Sequence, residues 1–352
     1  MILLNPGPVN VSPRVSEALG RGDLCHREPE CSELLAGIRD KLLRGFAPCG
    51  GFRAILVTGS GTAAVETAVS SVLSERGKLV IAANGVYGER VARMAHAARL
   101  GHLVVPGEWT APPALDALDA ALGQPGVEAL AVVHNETTTG LLTALAEIGA
   151  LTKRHGKLLL VDSVSGLGGD PLDLRAVGVD LVAGTSGKCI QGFPGMGFVL
   201  VREEVLERLQ GYPRRSLYLS LATYAEHEMP FTPAVQVGYA FDEALSELLE
   251  ETVAGRIARY ADAATLLRDG FTRLGLECIL PAELRCNTIT ALRMPAGHSY
   301  ASLHDGLKER GFVIYEGQGP MRSEIVRVCN MGHLARADFE GFLAALTEVL
   351  GG

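Results

Sequence analysis

A lysine and an aspartate follow apolar stretches at positions where they could share a cleft. Lys188 stands among small residues in segment 184–192, directly after an apolar stretch, and Asp162 ends another, residues 157–161. Burial at such a place lowers the pKa of a lysine and frees its amine to form a Schiff base. Each residue also has an ordinary explanation. Taken alone, Lys188 is more typical of a solvated loop and Asp162 of a helix N-cap.

A short segment rich in glycine and hydroxyl groups offers a place for an anion. Ser60, Gly61 and Thr62 follow a predicted strand and open a predicted helix. Free backbone N–H groups and the helix dipole favour a negative charge there, and two hydroxyls add donors, which suits a phosphate monoester. The segment is neither a Walker A loop nor a G-x-G-x-x-G motif, so nucleotide binding is not favoured. A purely structural turn is the alternative.

Three further residues could complete such a site. Tyr87 follows the next predicted strand, where an aromatic ring could stack on a planar cofactor instead of packing in the core. Thr137 lies in a polar segment, residues 134–140, that follows another strand and is otherwise typical of a turn. Arg327 is flanked by apolar residues, so its charge requires a partner. That partner is either an internal carboxylate or the anionic group of a substrate.

The elements that would hold these residues form an α/β pattern. From about residue 50 to 205, seven short apolar segments alternate with helical patterns. This predicts a mainly parallel seven-stranded sheet with helices on both faces, and such sheets bind ligands at the carboxyl ends of their strands. After about residue 235, long helical patterns and shorter strands predict a smaller α+β domain. We therefore predict an N-terminal arm (1–20), a large domain (21–235) and a small C-terminal domain (236–352).

The composition is that of a globular enzyme. The 352 residues are 47% hydrophobic and 20% charged, unlike a disordered chain, and the net charge of −8 argues against a nucleic-acid surface. No apolar run reaches the ~20 residues of a membrane span, and the N-terminus does not read as a signal peptide, so we expect a cytoplasmic protein. The seven cysteines show no spacing typical of a metal site, and no metal is expected.

Together these residues supply the groups that one active site needs, and that agreement is stronger evidence than any single motif. The sequence resembles the class V aminotransferases over nearly the whole chain. The most specific segment is residues 188–195, which begins at Lys188. The other segments that carry the resemblance are Asn5-Pro6-Gly7-Pro8 and residues 25–30, 59–66, 84–88, 136–140, 161–165, 311–315 and 327–332.

The resemblance implies an enzyme of fold type I that depends on pyridoxal 5′-phosphate (PLP). Lys188 would bind PLP as a Schiff base, and Asp162 would pair with the pyridinium nitrogen, because a protonated ring is the better electron sink. Tyr87 would stack on the ring, and Thr137 would lie near the ring hydroxyl. The family also implies a homodimer whose active sites lie at the subunit interface.

The resemblance further assigns residues to the cofactor phosphate and to the substrate. Arg327 would bind the anionic group of the substrate, and the backbone near Gly7 is a weaker candidate for contacts with a phosphonate. His26 or Arg27 are weaker candidates of the same kind. The residues implied for the cofactor phosphate are Ser60, Gly61, Thr62 and, lent by the other subunit, Thr232.

Within the family, the similarity is greatest to members that exchange an amino group between an aminophosphonate and pyruvate in a ping-pong reaction. An alanine– or serine–glyoxylate type shares most of these motifs and is an alternative. A non-catalytic metabolite-binding protein on the same fold is a second. Two segments depart from the usual pattern. Thr185-Ser186-Gly187 replaces a frequent Ser-Ala-Asn, and Tyr315-Glu316-Gly317-Gln318 replaces Tyr-Pro-Gly-Lys.

Overall fold

The computed structural model describes residues 1–351, which form a central sheet between two layers of helices and a smaller C-terminal region. The strands are β1 (Ile2–Leu3), β2 (Phe52–Gly59), β3 (Lys78–Ala83), β4 (Gly101–Pro106), β5 (Val127–Val133), β6 (Asn135–Glu136), β7 (Leu141–Leu142), β8 (Leu158–Asp162), β9 (Leu181–Thr185), β10 (Gly195–Arg202), β11 (Ile289–Arg293), β12 (Phe312–Val313), β13 (Tyr315–Glu316) and β14 (Ile325–Cys329). The α-helices are α1 (Pro13–Leu19), α2 (Pro29–Phe46), α3 (Gly61–Ser71), α4 (Val86–Ala97), α5 (Leu115–Leu122), α6 (Leu145–Arg154), α7 (Leu174–Val177), α8 (Glu203–Gln210), α9 (Leu221–Glu226), α10 (Val235–Glu251), α11 (Val253–Arg273), α12 (Tyr300–Glu309) and α13 (Arg336–Gly351).

The central sheet has seven strands in the order β2-β10-β9-β8-β5-β3-β4. Strand β10 is antiparallel to both of its neighbours, and every other neighbouring pair is parallel. The prediction of a mainly parallel seven-stranded sheet is therefore confirmed. Because β8 and β9 are parallel neighbours, their carboxyl ends lie side by side at one edge of the sheet.

Strand β8 shows why the strands are apolar throughout. Leu159 and Val161 pack into the apolar cluster on one face of the sheet, and Leu158 and Leu160 pack into the cluster on the other face. Because helices cover both faces, the strand has no exposed side that would favour polar residues. The first polar residue, Asp162, marks the point where the strand leaves the apolar core.

The two ends of the chain meet in the C-terminal region. There, β11, β14 and β13 form an antiparallel sheet that packs with α11, α12 and α13. Strand β1 joins this region by pairing in parallel with β12, where Ile2 lies opposite Phe312. Helix α10, by contrast, packs on the central sheet, with Phe241 stacked on Phe198 at 6.0 Å between ring centroids. The predicted domain limits at residues 20 and 235 stay predictions.

Within residues 1–351, no helix combines the length and the apolar character needed to cross a membrane. The same residues contain no group of three or more His, Cys, Asp or Glu side chains arranged to hold a metal ion. All seven cysteines are free, and Cys31, Cys189, Cys286 and Cys329 are buried.

A buried carboxylate, Asp170, ties the central sheet to the C-terminal region. Its Oδ2 accepts a hydrogen bond from Asn135 Nδ2 at 2.8 Å, and its Oδ1 accepts one from the backbone N–H of Asn287 at 2.8 Å. Asn135 Nδ2 also donates to Thr288 Oγ1 at 3.1 Å. Burial raises the pKa of Asp170 to about 6, and the two hydrogen bonds oppose that rise.

We expect Asp170→Ala to lower the free energy of unfolding by about 3 kcal/mol, because it leaves two buried donors without their acceptor. The nearby Asp173→Ala is a matched control. Asp173 is exposed and caps helix α7 through the N–H groups of Arg175 and Ala176, so its loss should cost only about 1 kcal/mol. Urea denaturation of both variants measures the difference. Equal losses would show that Asp170 does not tie the two regions together.

Candidate active site

The glycine- and hydroxyl-rich segment forms the N-terminus of helix α3, at the carboxyl end of β2. Ser60 occupies the N-cap position, yet its side chain accepts no capping hydrogen bond, so its hydroxyl is free for a ligand. Gly61 is buried against the ends of β8 and β9. A Cβ at this position would lie 2.6 Å from Val164 Cγ1 and 3.3 Å from Thr185 Cβ. Only glycine therefore lets the first turn of the helix approach the sheet this closely.

Asp162 is the last residue of β8 and is buried. Its Oδ1 accepts a hydrogen bond from the backbone N–H of Val164 at 3.0 Å, so it caps a short turn and not a helix. Burial raises its pKa to about 6, while the bond from Val164 and the positive charges of Arg90 and Lys188 act in the opposite direction. An acid in this setting is stabilised as a carboxylate when a further positive charge lies beside it.

Lys188 lies in the turn that follows β9, the strand beside β8. Burial lowers the pKa of its amine, and the nearby Asp162 opposes that shift. Gly7, with φ +111°, packs directly on the lysine side chain, because a Cβ there would lie 2.8 Å from Lys188 Nζ. The N-terminal segment thus forms one wall around the amine, and that wall requires glycine.

Tyr87 lies in the first turn of helix α4 and is half-buried, outside the apolar clusters of the core. The guanidinium of Arg90 stacks over its ring, with Cζ 4.5 Å from the ring centroid. Arg90 Nη1 also donates to Thr62 Oγ1 at 3.4 Å, which connects the ring to the predicted phosphate segment. Thr62, Tyr87, Arg90 and Asp162 line one small cavity together with Val164.

Arg327 is 1% exposed and lies on β14. Its Nε donates to the carbonyl of Glu316 and its Nη1 to the carbonyl of Thr137, both at 2.9 Å. Within residues 1–351, no carboxylate forms an ion pair with it, so the internal ion pair considered from the sequence does not form. The side chain of Glu316 pairs instead with Arg322, at 2.8 Å. Arg327 is close enough to Lys188 and Tyr87 to affect the pKa of both.

Thr137 is buried where the sheet edge meets Arg327. Its hydroxyl donates to Ser165 Oγ at 2.8 Å, and its carbonyl receives the bond from Arg327. The structure thus gathers Thr137, Arg327 and Lys188 around one edge of the central sheet.

Three residues predicted for the site lie apart from Lys188 and Arg327 within the single chain. They are Thr232, His26 and Arg27. Thr232 is exposed, and its hydroxyl lies 3.5 Å from His26 Nε2; Arg27 is also exposed. No hydrogen bond inside residues 1–351 joins any of them to Lys188 or Arg327. Their predicted roles concern a second subunit or a substrate, so they stay predictions.

One residue of this edge was not predicted from the sequence. Glu136 is fully buried, and its Oε1 accepts hydrogen bonds from the hydroxyl of Thr138 at 2.5 Å and from the N–H groups of Thr138 and Tyr87 at 3.2 and 3.5 Å. Its Oε2 has no partner within residues 1–351. Burial raises the pKa of Glu136 to about 7, and these hydrogen bonds act in the opposite direction. A glutamate three residues after the end of an apolar strand, in the polar segment 134–140, was the available signal.

The residues at the edge fit PLP. A free helix N-terminus with an unused serine hydroxyl suits its phosphate, and Tyr87 offers a ring face. Asp162 would become a stable carboxylate beside the protonated ring nitrogen, and Lys188 offers a desolvated amine. These four features are the donor set that the cofactor requires.

Comparisons with known proteins agree with this geometry. An aspartate aminotransferase of subgroup IV from Thermus thermophilus has a similar structure, with a TM-score of 0.91, 30% sequence identity and coverage of 100% of this chain and 99% of that chain. An alanine–glyoxylate aminotransferase from Nostoc sp. has the same TM-score of 0.91 at 29% identity, covering 99% of this chain and 95% of that chain. The fold is therefore that of the fold-type I PLP-dependent aminotransferases.

The sequence comparisons narrow the class to one family. Residues 23–341 match the family model for class V aminotransferases. A 2-aminoethylphosphonate–pyruvate transaminase from Vibrio cholerae is 36% identical over 361 residues, covering 99% of this chain and 97% of the relative. The chain belongs to the class V aminotransferase family, and it is a PLP-dependent enzyme.

We expect Glu136→Gln to flatten the dependence of stability on pH in the cofactor-free protein. The pKa of Glu136 rises on folding from 4.5 to about 7, so between these values the folded state holds a proton that the unfolded state has lost. Its contribution to stability is therefore full below pH 4.5 and declines by about 1.4 kcal/mol per pH unit up to pH 7.

Denaturation midpoints of the unmodified protein and of Glu136→Gln, measured between pH 4.5 and 7, would show the difference in slope. Parallel curves would mean that Glu136 does not hold this proton in the folded protein.

Proposed function

We propose that this enzyme transfers the amino group of 2-aminoethylphosphonate to pyruvate, giving phosphonoacetaldehyde and L-alanine. The relative from Vibrio cholerae, which bears this activity in its name, supports the proposal over the length of the chain. The observation that carries it is the buried, unpaired charge of Arg327 beside Lys188. A buried guanidinium that has only carbonyl partners is stabilised further when an anion binds beside it.

Arg327 is held in a fixed orientation for such an anion. The carbonyls of Glu316 and Thr137 engage Nε and Nη1, and no atom within residues 1–351 accepts a hydrogen bond from Nη2. The planar guanidinium can therefore present its remaining N–H groups to a phosphonate or to a carboxylate. A ping-pong transaminase requires this versatility, because the phosphonate and pyruvate occupy one site in turn.

The roles of the other residues follow from their surroundings. The amine of Lys188 would take the proton from the substrate carbon that bears the amino group, because burial lowers its pKa and favours its neutral, basic form. Asp162 would hold the proton on the ring nitrogen of PLP, and Tyr87 would stack on the face of the ring. PLP itself supplies the electron sink for the carbon that loses its proton. Ser60, Gly61 and Thr62 would bind its phosphate.

We further propose a cytoplasmic homodimer in which Thr232, which lies beside His26, reaches the cofactor phosphate of the other subunit. Both residues lie together on the surface, beside an apolar patch where Leu217 is 70% exposed and Tyr218 37% exposed. A second copy of the chain on this patch would cover those side chains and bring Thr232 towards a phosphate. The net charge of −8 does not favour nucleic acid as a partner.

An alanine–glyoxylate type of reaction is the second candidate, because the structure of such an enzyme from Nostoc sp. is as similar as that of the Thermus protein. Absorption spectra of the purified protein separate the two. We expect 2-aminoethylphosphonate, without any acceptor, to remove the visible absorption of PLP bound at Lys188, and alanine to do the same. Serine should have little effect. A response only to α-amino acids would contradict the proposed substrate and leave the family assignment intact.

We expect Lys188→Ala to reduce turnover below detection, because the amine that moves the proton is lost. The exposed Lys153→Ala is the control and should retain full activity. Borohydride reduction followed by peptide mass mapping should find PLP on Lys188 in the unmodified protein and nowhere in the variant. Full activity of Lys188→Ala would exclude the mechanism.

We expect Arg327→Lys to raise KM about 10–100-fold for both 2-aminoethylphosphonate and pyruvate, because it keeps the charge but loses the bidentate geometry. Arg322→Lys is the matched control, since Arg322 is exposed on the same hairpin and pairs only with Glu316. Steady-state kinetics with each substrate varied in turn measure the effect. A rise in KM for only one substrate would mean that the two anions bind at different places.

A further inference from the structure

We propose that Tyr260, Arg256 and Gln191 are positioning residues that fix the backbone turn carrying Lys188. They do not touch the reacting atoms. They act on the peptide groups that follow the lysine, and the inference rests on the role proposed above for Lys188. All three lie outside the set of residues assigned to cofactor or substrate.

The carbonyl groups of the turn are the points of attachment. The carbonyl of Cys189, which follows the lysine, accepts hydrogen bonds from Arg256 Nη1 at 3.0 Å and from the hydroxyl of Tyr260 at 3.2 Å. The carbonyl of Lys188 itself accepts the backbone N–H of Gln191 at 2.9 Å. The two peptide groups that follow the lysine are thereby restrained, so the base of its side chain has a defined position.

Gln191 closes the turn in a costly conformation. Its φ of +68° lies in the left-handed region, which residues other than glycine rarely adopt. Its side chain compensates by donating from Nε2 to the hydroxyl of Tyr260 at 2.7 Å and to the carbonyl of Gly332 at 2.6 Å. Strain of this kind persists only where surrounding contacts hold it, and it is concentrated at functional sites.

The hydroxyl of Tyr260 is the centre of the arrangement. It donates to Cys189 and accepts from Gln191, and it also accepts the backbone N–H of Gly332 at 3.2 Å. One donation and two acceptances use the full capacity of a hydroxyl. A single oxygen therefore connects the lysine turn to the strand-end segment that follows Arg327 in the sequence.

Burial distinguishes this set from an ordinary surface network. Arg256 is 2% exposed and Tyr260 is fully buried, and they lie one turn apart on the same face of helix α11. The charge of Arg256 is balanced by an ion pair with Glu251, which also binds Arg259 at 2.7 Å. Apolar side chains of similar volume could fill this space with little loss of stability. A polar network in which every group is hydrogen-bonded is therefore better explained by the defined geometry that it gives to the turn than by its contribution to stability.

Gly7, on the opposite side of the lysine, shows why the position of the Lys188 side chain matters. Gly7 already approaches so closely that an added Cβ would lie 2.8 Å from Lys188 Nζ. The amine stands between this wall and the turn, with little room to adjust. A displacement of about 1 Å at a reacting group can cost up to about 100-fold in rate.

Tyr260→Phe tests the inference with a small change, because it removes one oxygen and keeps the packing of the ring. In the PLP-loaded protein we expect kcat to fall about tenfold with KM within about twofold, since geometry and not binding is disturbed. The pH midpoint of the visible absorption change should also move by at least about half a unit, because that midpoint reports the surroundings of the nitrogen of Lys188. Tyr300→Phe, which removes a hydroxyl bonded to the carbonyl of Ile314, is the matched control.

Gln191→Gly separates positioning from stability. Glycine adopts the left-handed conformation without strain, but it cannot reach Tyr260 or Gly332. We expect the same changes in kcat and in the spectroscopic midpoint as for Tyr260→Phe, whatever happens to the melting temperature.

Two outcomes would overturn the inference in different ways. If Tyr260→Phe and Gln191→Gly change only the melting temperature, and leave kcat and the midpoint equal to those of Tyr300→Phe, the network is structural and does not position Lys188. If the unmodified protein shows no visible absorption after addition of PLP, the proposed role of Lys188 is wrong, and the inference falls with it.

Discussion

The burial of ionisable groups at the carboxyl edge of the central sheet is the constraint on which the rest of the structure depends. Lys188, Asp162 and Glu136 all lie where solvation is poor, so the charged form of each is disfavoured. A site of this kind favours a neutral amine and carboxyl groups that hold a proton more readily than they do in water. Burying these groups costs free energy of folding, and the extensive apolar clusters on both faces of the sheet offset that cost.

The order of the strands determines which of these residues meet at the edge of the sheet. Asp162 and Lys188 are 26 residues apart in sequence, but they follow adjacent parallel strands, β8 and β9. Helix α3 begins at the predicted phosphate segment, residues 60–62. It packs on β9 and β10, which brings its N-terminus to the same edge. The C-terminal region then supplies Arg327 from β14, and the carbonyl of Thr137 binds it directly. Five segments distant in sequence therefore converge at this edge.

The sequence predicts some parts of this arrangement better than others, for physical reasons. Buried parallel strands are continuous apolar segments, so their ends are visible, and Asp162 and Tyr87 could be recognised as residues that follow strands. Helix α2, at Pro29–Phe46, was not predicted, although it packs under the sheet. Arg327 was recognisable as a charge among apolar residues, but its lack of an internal partner was not. Tyr260 and Arg256 left no signal at all, because they contact Cys189 across about 70 residues of sequence.

The pairing of β1 with β12 has a consequence for how the enzyme is made. Residues 2 and 3 are synthesised some 310 residues before their pairing partners, Phe312 and Val313. Until then the N-terminal segment has no strand to join, and the wall that Gly7 forms beside Lys188 cannot close. Because closing a loop of some 300 residues is slow and costs entropy, we expect the wall beside Lys188 to form late in folding. A chain that has not yet reached β12 therefore lacks the strand pairing that holds Gly7 beside Lys188, so enclosure of this lysine depends on the C-terminal region.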